Sequence, residues 1–268
     1  MNDGNGIRAD GSILSGKVAI ITGSDSGIGQ ATAVEFGRQG ADVVVHYHQD
    51  EDGANETRRR VEEAGHRAIV VQADVSDEQQ VEQIFDRAIE EFGRVDILMN
   101  NAGIDASGIM VADMSTERWD RAIRVNVYGY FFACRRFIQE RKKAGGGGKI
   151  INVTSIHDEV PRAGAADYDC SKGAIRNLTR TLALELAEDQ ISVNNLAPGM
   201  VLTPFNQRAK EDPEFREQQT ASIPMKRAAE PEEIARLALF LASSDSNYVT
   251  GSTYVMDGGL MQNTGQGA

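Results

Sequence analysis

A tyrosine and a lysine four positions apart are the residues of this sequence best suited to proton transfer. The segment Tyr168-Asp169-Cys170-Ser171-Lys172 begins a long helical pattern, and side chains four positions apart share one face of a helix. Tyrosine has an ordinary pKa of about 10 and is a poor base at neutral pH, but a neighbouring cation favours its phenolate form. Tyr168 and Lys172 could therefore exchange a proton with a substrate oxygen, or they could be an ordinary solvated or packed pair.

Three glycines near the amino terminus have the placement of a phosphate-binding loop. Gly23, Gly27 and Gly29 follow the apolar run 17–22 and lead into an amphipathic helical pattern. Glycines there let the backbone turn tightly and approach a pyrophosphate, and the following helix N-terminus offers free N–H groups and a positive dipole. The spacing G-x₃-G-x-G differs from the G-x-G-x-x-G of the main dinucleotide fingerprint. Its position at the first strand–helix turn favours nucleotide binding over a plain glycine turn.

Further polar residues and turns follow other predicted strands at their carboxyl ends, where open α/β sheets bind ligands. Ser155 follows the strand at 149–154, and Asn126 lies on the long helix before that strand. The remaining positions are Asp74-Val75 after the third strand, Asn100-Asn101-Ala102-Gly103 at the end of the fourth and Pro198-Gly199 after the sixth. A single sheet edge would gather them into one cleft.

The elements that would position these residues alternate between short apolar runs and longer amphipathic stretches. Predicted strands are 17–22, 42–47, 68–72, 95–100, 149–154, 191–196 and 252–257, and predicted helices are 27–39, 52–64, 77–92, 116–143, 166–188 and 231–243. This alternation predicts right-handed βαβ units and a buried parallel sheet. We therefore predict an α/β fold with a doubly wound, Rossmann-like, seven-stranded parallel sheet and helices on both faces.

One domain accounts for residues 16–268, since no linker or repeat divides them and this length suits a single core. Residues 1–15 lack the cationic start and apolar centre of a signal peptide and are predicted to form a flexible tail. The stretch 203–222 is predicted to be a mobile lid over the substrate, because long connections usually carry function.

Composition disfavours several classes of partner. The chain carries 40 acidic and 28 basic residues, a formal net charge of −12, which disfavours nucleic acid and anionic membranes because both attract positive charge. No apolar run reaches the roughly 18 residues of a membrane-spanning helix. Two cysteines favour a reducing, cytoplasmic setting, and no Cys/His cluster has metal-ligand spacing, so no metal is expected. A small-molecule substrate fits this balance best.

Taken together, these motifs resemble the single-domain branch of the short-chain dehydrogenase/reductase family. The resemblance rests on the glycine motif, the Asn-Asn-Ala-Gly segment, an Asn-Ser-Tyr-Lys set and the Pro-Gly turn, all in order. It implies NAD(P)-dependent hydride transfer between an alcohol and a carbonyl, catalysed by Asn126, Ser155, Tyr168 and Lys172. Tyr168 would move the proton, and Lys172 would hold the nicotinamide ribose and lower the tyrosine pKa. Ser155 would bind the reacting oxygen, and Asn126 would anchor a water of a proton relay.

The same resemblance implies a set of cofactor contacts. Asp74 and Val75 would bind adenine, and Asn101 and Gly103 would line the adenosine ribose. Thr203 would contact the nicotinamide amide. The full set is Gly23, Ser26, Gly27, Ile28, Gly29, Tyr47, His48, Asp74, Val75, Asn101, Ala102, Gly103, Tyr168, Lys172, Pro198, Gly199, Val201 and Thr203.

The residues expected to determine the preference for NAD or NADP give opposite indications. Tyr47 ends the second strand, where NAD-binding relatives carry an acid that binds the ribose 2′-OH and repels a phosphate. His48 follows where NADP-binding relatives often carry arginine, but a half-neutral imidazole is a weaker phosphate ligand. Ser26 occupies a position that is often basic in NADP enzymes, and Asp25 adds negative charge beside it. We expect either NAD or NADP to bind and assign no preference.

For the substrate, the stretches 43–56, 153–161 and 223–251 resemble the bacterial glucose 1-dehydrogenase subgroup. The first expectation is a sugar or polyol, with Ser155 and Tyr168 on the reacting oxygen. His157 and Asp105 would contact further hydroxyls, unless they make only local backbone bonds. A 3-oxoacyl-thioester reductase or another ketone reductase shares every motif, and a non-catalytic NAD(P)-binding sensor is the alternative from a different class. Relatives form tetramers, so the resemblance also implies a homotetramer.

Overall fold

The computed structural model describes residues 12–263 of the chain. Its strands are β1 (Val18–Ile21), β2 (Asp42–Tyr47), β3 (Ala68–Gln72), β4 (Ile97–Asn100), β5 (Gly148–Val153), β6 (Ile191–Pro198) and β7 (Thr253–Met256). All pair in parallel and form a seven-stranded sheet in the order β3-β2-β1-β4-β5-β6-β7. The strand order reverses between β1 and β4, and such a switch point is where doubly wound sheets bind ligands.

Helices cover both faces of the sheet. They are α1 (Gly27–Arg38), α2 (Glu51–Glu63), α3 (Glu78–Phe92), α4 (Thr116–Ile123), α5 (Gly129–Lys143), α6 (Ala166–Leu186), α7 (Gln207–Glu211), α8 (Pro213–Thr220) and α9 (Pro231–Ala242). One hydrophobic cluster joins the sheet to α1 and α9, and a second joins the opposite face to α3 and α5. The strands are nearly continuously apolar because both faces are covered. The predicted fold class is confirmed.

The predicted helix 116–143 is divided by a change of helical pitch. Between α4 and α5 the chain forms a π-helical stretch, Arg124–Tyr128, which contains Asn126. Such single π turns inside helices often mark functional positions. Asn126 thus lies where the local backbone departs from the regular α-helix.

A ladder of buried polar side chains crosses the sheet near its carboxyl edge. Asn100, Asn152, Asn195 and Thr253 occupy paired positions on β4, β5, β6 and β7. Asn100 Nδ2 donates to Asn152 Oδ1 at 2.8 Å, and Asn195 Nδ2 donates to Thr253 Oγ1 at 3.1 Å. Thr179 of α6 bridges the middle: its hydroxyl accepts from Asn152 Nδ2 at 2.8 Å and donates to Asn195 Oδ1 at 2.6 Å. Because a shift of one residue would break each bond, the ladder helps to hold the strand register.

The amino-terminal tail predicted over residues 1–15 lies mostly outside the described residues. Its last part, residues 12–15, packs on the domain: Leu14 is 1 % exposed, and its N–H donates to the Gln39 carbonyl oxygen at 2.8 Å. This apolar side chain belongs to the cluster on the α1 face. The ordered domain therefore begins before residue 16.

The predicted lid, residues 203–222, forms a helical excursion. It consists of a 3₁₀ turn at Pro204–Asn206 followed by α7 and α8. Ala209 and Thr220 are buried, whereas most other side chains of the excursion are exposed. Over residues 12–263, no helix has the length and apolar character required to cross a membrane.

Candidate active site

The glycine motif forms the turn between β1 and α1 and leaves a helix N-terminus open. Gly27 begins α1 with a φ of +54°, a left-handed conformation that suits glycine. A Cβ on Gly29 would lie 2.1 Å from the Gly23 carbonyl oxygen, so a side chain does not fit there. Ser26 caps α1 without a side-chain hydrogen bond, and the first turn of α1 contains no acidic residue. The N–H groups of this turn can therefore bind an anion.

His46 supports the glycine loop from beneath, a role that no sequence motif indicated. The residue is 1 % exposed. Its Nδ1 accepts a hydrogen bond from the Gly23 N–H at 2.9 Å, and its Nε2 donates to the Ala73 carbonyl oxygen at 3.1 Å. These partners require one neutral tautomer, and burial lowers the pKa of His46 to about 4. His46 is therefore a neutral support for Gly23 at physiological pH.

Asn101 ties the end of β4 to the same loop. Its Nδ2 donates to the carbonyl oxygens of Thr22 and Gly23 at 2.9 and 2.8 Å. The backbone N–H groups of Asn101 and Ala102 both donate to the Thr22 hydroxyl, at 2.9 and 3.0 Å. The side chain of Asn101 thus shapes the loop, and this bonding occupies its amide donors.

A cavity of about 240 Å³ opens in front of the α1 N-terminus. Predicted cofactor residues that line it are Gly23, Ser26, Gly27, Ile28, His48, Asp74, Val75, Asn101, Ala102, Gly103 and Thr203. Residues outside the predicted set of cofactor contacts also line it: Asp25, His46, Ile104, Arg121, Val125, Pro204 and Phe205. The cavity lies at the switch point of the sheet and joins the glycine loop to the predicted adenine residues.

Asp74 organises the wall of the cavity opposite the glycine loop. Its Oδ1 accepts hydrogen bonds from the Ser76 N–H and hydroxyl at 2.9 and 2.7 Å. Its Oδ2 lies 3.7 Å from His48 Nε2 and 3.5 Å from Arg121 Nη1. The two basic groups of this wall therefore already face a carboxylate.

Tyr47, Pro198, Gly199 and Val201, four of the predicted cofactor contacts, are not among the residues that line this cavity. Tyr47 packs in the cluster on the α1 face, because alternate side chains of a strand point to opposite faces; His46 faces the glycine loop instead. Val201 is 3 % exposed and belongs to the same cluster. Pro198 ends β6, and a Cβ on Gly199 would lie 2.7 Å from Asp257 Cβ. Pro198, Gly199 and Val201 belong to the turn that leads from β6 to Thr203.

Lys172 lies on α6 with its ammonium group buried beside the end of β5. Nζ donates to the Val153 carbonyl oxygen at 2.8 Å and to the Tyr130 hydroxyl at 3.4 Å. The residue is 4 % exposed, and burial lowers the pKa of Lys172 to about 8. A Cβ built on Gly103, in the cavity wall, would lie 3.8 Å from Nζ. Lys172 therefore adjoins the cavity at the position of Gly103.

Tyr168 and Ser155 face each other at the carboxyl edge of the sheet. Ser155 is 7 % exposed and hydrogen-bonds the Tyr168 side chain, while Lys172 Nζ lies 5.5 Å from the centre of the tyrosine ring. Burial raises the pKa of Tyr168 to about 12, and the Ser155 hydrogen bond opposes that shift. Burial thus sets the direction of this shift, and the lowering of the pKa expected from Lys172 is not seen.

Asn126 holds the loop after β4 against α6. Its Oδ1 accepts from the Ile104 N–H at 2.8 Å, and its Nδ2 donates to the Ile104 carbonyl oxygen at 3.0 Å and to the Ser171 hydroxyl at 3.1 Å. A Cβ on Gly103 would lie 3.1 Å from Asn126 Oδ1. Asn126 is therefore adjacent to Gly103, and both amide N–H groups of its side chain are occupied.

His157 and Asp105, the predicted substrate contacts, have different surroundings. The His157 ring packs edge-on against Tyr168, with 6.3 Å between ring centres. Its Nδ1 donates to the Val160 carbonyl oxygen at 2.8 Å, which leaves Nε2 as an acceptor. Asp105 is exposed, and its Oδ1 accepts from the neighbouring Ala106 N–H at 2.7 Å. Both side chains thus make local backbone bonds, and the His157 ring also packs against Tyr168.

Two buried carboxylates that the motifs did not indicate lie near the predicted catalytic residues. The Asp158 side chain is 2 % exposed, and its Oδ1 lies 3.3 Å from Arg176 Nη1; Asp158 also raises the pKa of Lys172 against the larger effect of burial. Asp167 is fully buried and pairs with Arg118 Nε at 2.9 Å. Arg118 also donates to the Asp105 carbonyl oxygen at 2.5 Å. Asp158 therefore favours the charged form of Lys172, and Asp167 holds Arg118 against the loop after β4.

A larger groove of about 960 Å³ lies at the opposite, amino edge of the sheet, lined by residues such as Lys17, Lys149 and Ile191. It contains no residue of the predicted site, and parallel sheets bind ligands at the carboxyl edge. We therefore assign the smaller cavity to the active site. Among residues 12–263, no group of three or more His, Cys, Asp or Glu side chains is arranged to hold a metal ion.

Known proteins with similar sequences and structures agree with this geometry. Residues 23–261 match the family model described as Enoyl-(Acyl carrier protein) reductase. The chain is 42 % identical to Glucose 1-dehydrogenase 2 of Bacillus subtilis (strain 168), over 92 % of this chain and 95 % of that protein. It is 45 % identical to 3beta-hydroxysteroid dehydrogenase 1 of Eggerthella lenta, over 92 % of this chain and 94 % of that protein.

A solved structure gives the same result. The acetoin dehydrogenase from Enterobacter cloacae matches with a TM-score of 0.84 at 37 % identity, over 94 % of this chain and 98 % of that chain. The names of these relatives give different substrates, so they establish the class of reaction and leave the substrate open. The chain is an oxidoreductase acting on CH–OH groups, and it belongs to the short-chain dehydrogenase/reductase family.

Proposed function

We propose that this oxidoreductase uses NAD(P) to oxidise a secondary hydroxyl, or to reduce the corresponding carbonyl, with Tyr168 as the proton-transfer residue. The observation that carries the proposal is the continuity of the site. The cavity begins at the uncapped α1 N-terminus and reaches Gly103, and Gly103 adjoins Lys172 and Asn126. A nucleotide held at the helix would thus point its far end toward Tyr168 and Ser155.

The residues present fit a dinucleotide. The open N–H groups of α1 suit a pyrophosphate, and the absence of a Cβ at Gly29 lets the start of α1 pack directly on the Gly23 carbonyl of the loop. Asp74 and Val75 would hold the adenine, and Lys172 the nicotinamide ribose. When bound, the nicotinamide supplies or accepts the hydride.

Proton transfer would fall to Tyr168. In oxidation, its phenolate takes the substrate hydroxyl proton while the Ser155 hydroxyl donates a hydrogen bond to the same oxygen. Burial makes the phenolate costly to form. Positive charge from Lys172 and from a bound oxidised nicotinamide would offset this cost, because a neighbouring cation stabilises the phenolate. In reduction, the neutral phenol donates the proton; its raised pKa keeps it protonated at neutral pH, although it also makes the phenol a weaker acid.

For the substrate, we propose a sugar or polyol. His157 supports this choice, because its Nε2 is an acceptor beside the Tyr168 ring. A hydroxyl next to the reacting carbon could donate to that nitrogen. Sites that hydrogen-bond a substrate hydroxyl discriminate strongly against analogues without it.

A bulky apolar ketone is the second candidate, supported by exposed apolar side chains in the loop after β4. Ile109, Met110 and Val111 are 38, 57 and 70 % exposed. Phe205, which lines the cavity, is 57 % exposed. These side chains could contact a steroid-like or acyl substrate, as in a ketone or 3-oxoacyl-thioester reductase.

Initial rates with NAD and NADP across aldoses, polyols, an acetoacetyl thioester and bulky ketones test the proposal. We expect turnover of a sugar or polyol, and we expect His157→Ala to raise its KM by about tenfold or more. His66→Ala, which removes a histidine outside the site, is the control and should leave KM unchanged. Turnover of ketones alone would overturn the sugar assignment, and cofactor binding without turnover of any substrate would favour a sensor.

We also propose a cytoplasmic homotetramer. Support comes from apolar side chains left exposed on helices and on the edge strand: Tyr128 and Phe131 near α5, Leu184 on α6 and Val255 on β7. Exposed apolar surface of this kind favours contact between subunits. Light scattering on a size-exclusion column gives the mass directly, and a monomer would overturn the proposal.

A further inference from the structure

The adenosine end of the cavity carries a carboxylate that no family motif requires. Asp25 lies in the glycine loop and lines the cavity together with His48 and Asp74. The adenosine ribose of a bound dinucleotide would lie between the pyrophosphate at α1 and the adenine at Asp74. Asp25 therefore borders the space in which the ribose 2′-position must sit.

The charges around this space are mainly negative. Asp50, the N-cap of α2, interacts electrostatically with Asp25, and Glu51 and Asp52 follow in the first turn of that helix. His48 and Arg121 are the basic residues of the cavity wall, and both face the Asp74 carboxylate at 3.7 and 3.5 Å. His48 also interacts electrostatically with Asp25, so its imidazole is shared between two carboxylates and little positive charge remains to balance a phosphate beside Asp25.

Asp25 is also held in place by its surroundings. Its carbonyl oxygen accepts from Gln30 Nε2 at 3.1 Å, and a Cβ on Gly53 of α2 would lie 2.5 Å from that oxygen. The start of α2 thus packs directly against the Asp25 backbone. The backbone that carries the Asp25 side chain is therefore fixed beside the cavity.

We propose that Asp25 makes the enzyme select NAD(H) over NADP(H). This rests on the proposed use of a nicotinamide cofactor. The Asp25 carboxylate accepts a hydrogen bond from a ribose hydroxyl and repels a 2′-phosphate, a task that an acid at the end of β2 performs in other dinucleotide folds. Tyr47, which ends β2 here, lies in the apolar cluster on the α1 face, and its pKa is raised by burial, so its neutral phenol does not repel a phosphate.

Fluorescence titrations with NADH and NADPH test the proposal without any substrate. We expect the wild type to bind NADH about tenfold or more tightly than NADPH. Asp25→Ser should reduce the ratio of NADH affinity to NADPH affinity by about tenfold, mainly by increasing the affinity for NADPH. Asp25→Asn, which keeps the shape and removes the charge, should act in the same direction.

Controls separate local from general charge effects. Glu62→Gln removes the same charge at the exposed far end of α2 and should leave the ratio unchanged. Added salt should bring the wild-type ratio of NADH affinity to NADPH affinity closer to one, because it screens the repulsion between Asp25 and the 2′-phosphate. Salt should change this ratio less in Asp25→Ser. An equal wild-type affinity for both cofactors, or the same ratio in Asp25→Ser as in Glu62→Gln, would overturn the selectivity proposal. Binding of neither cofactor would overturn the proposed function itself.

Discussion

Replacing Asn152 with alanine tests whether the polar ladder at the carboxyl edge stabilises the fold as its geometry implies. Asn152 is fully buried, and the substitution removes two hydrogen bonds of 2.8 Å each, with Asn100 Nδ2 and Thr179 Oγ1. Each bond contributes about 1 kcal/mol, and a buried donor without its partner costs about 1–3 kcal/mol more. Asn100 Nδ2 would retain only the Cys134 sulfur at 3.3 Å, a weak acceptor.

We therefore expect Asn152→Ala to lower the free energy of unfolding by about 3–5 kcal/mol. Because single domains have about 5–15 kcal/mol in total, the variant should still fold. Urea denaturation at fixed protein concentration measures the change through the fluorescence of Trp119, the single tryptophan of the chain.

Ser192→Ala is a matched control on the neighbouring strand β6. Ser192 is also buried, but its hydroxyl has no hydrogen-bond partner among the described residues, so we expect a change within about 0.5 kcal/mol. If Asn152→Ala costs no more than Ser192→Ala, the ladder does not hold the strands together and the reasoning is refuted.

The remaining predictions concern the site. His46→Ala removes the acceptor of the Gly23 N–H and should weaken NADH binding by about tenfold in fluorescence titrations; an unchanged Kd would contradict the supporting role of His46. Gly29→Ala places a Cβ 2.1 Å from a carbonyl oxygen and should abolish NADH binding, while calorimetry still shows a folded protein; normal affinity would rule out the loop geometry. The ammonium of Lys172 is charged below a pKa of about 8, so NADH affinity should fall as the pH rises through that value. Asp158→Asn removes a carboxylate that favours the charged form and should move this midpoint to lower pH; an unmoved midpoint would show that Asp158 does not act on Lys172.

The strand pattern of the sequence predicted the fold well because it is a local signal. The run Asp42–Tyr47 is a strand with the predicted bounds. The strand predicted at 191–196 begins where expected and ends two residues later, at Pro198. Apolar, β-branched runs separated by amphipathic helices leave few alternatives to a parallel sheet. The glycine motif was equally informative, since its backbone conformation depends on the glycines themselves.

Contacts that depend on tertiary packing could not be predicted in the same way. Tyr47 was assigned to the cofactor and His46 was left without a role, because the face on which a strand residue lies depends on how the sheet packs. Asn152 and Thr179 meet only after β5 and α6 dock, and no spacing in the sequence links them. Leu14 lies in a segment of low apolar content, and its burial depends on the groove beside α1.

The most direct test of the account is the substitution Tyr168→Phe, measured for both turnover and cofactor binding. It removes one hydroxyl from a half-buried ring and leaves Lys172 and the glycine loop in place. We predict that kcat falls by about 10²–10⁴-fold, the usual contribution of a proton-transfer residue, while the Kd for NADH stays within about twofold. Turnover near the wild-type level would contradict the assignment of Tyr168 as the proton-transfer residue and with it the proposed mechanism.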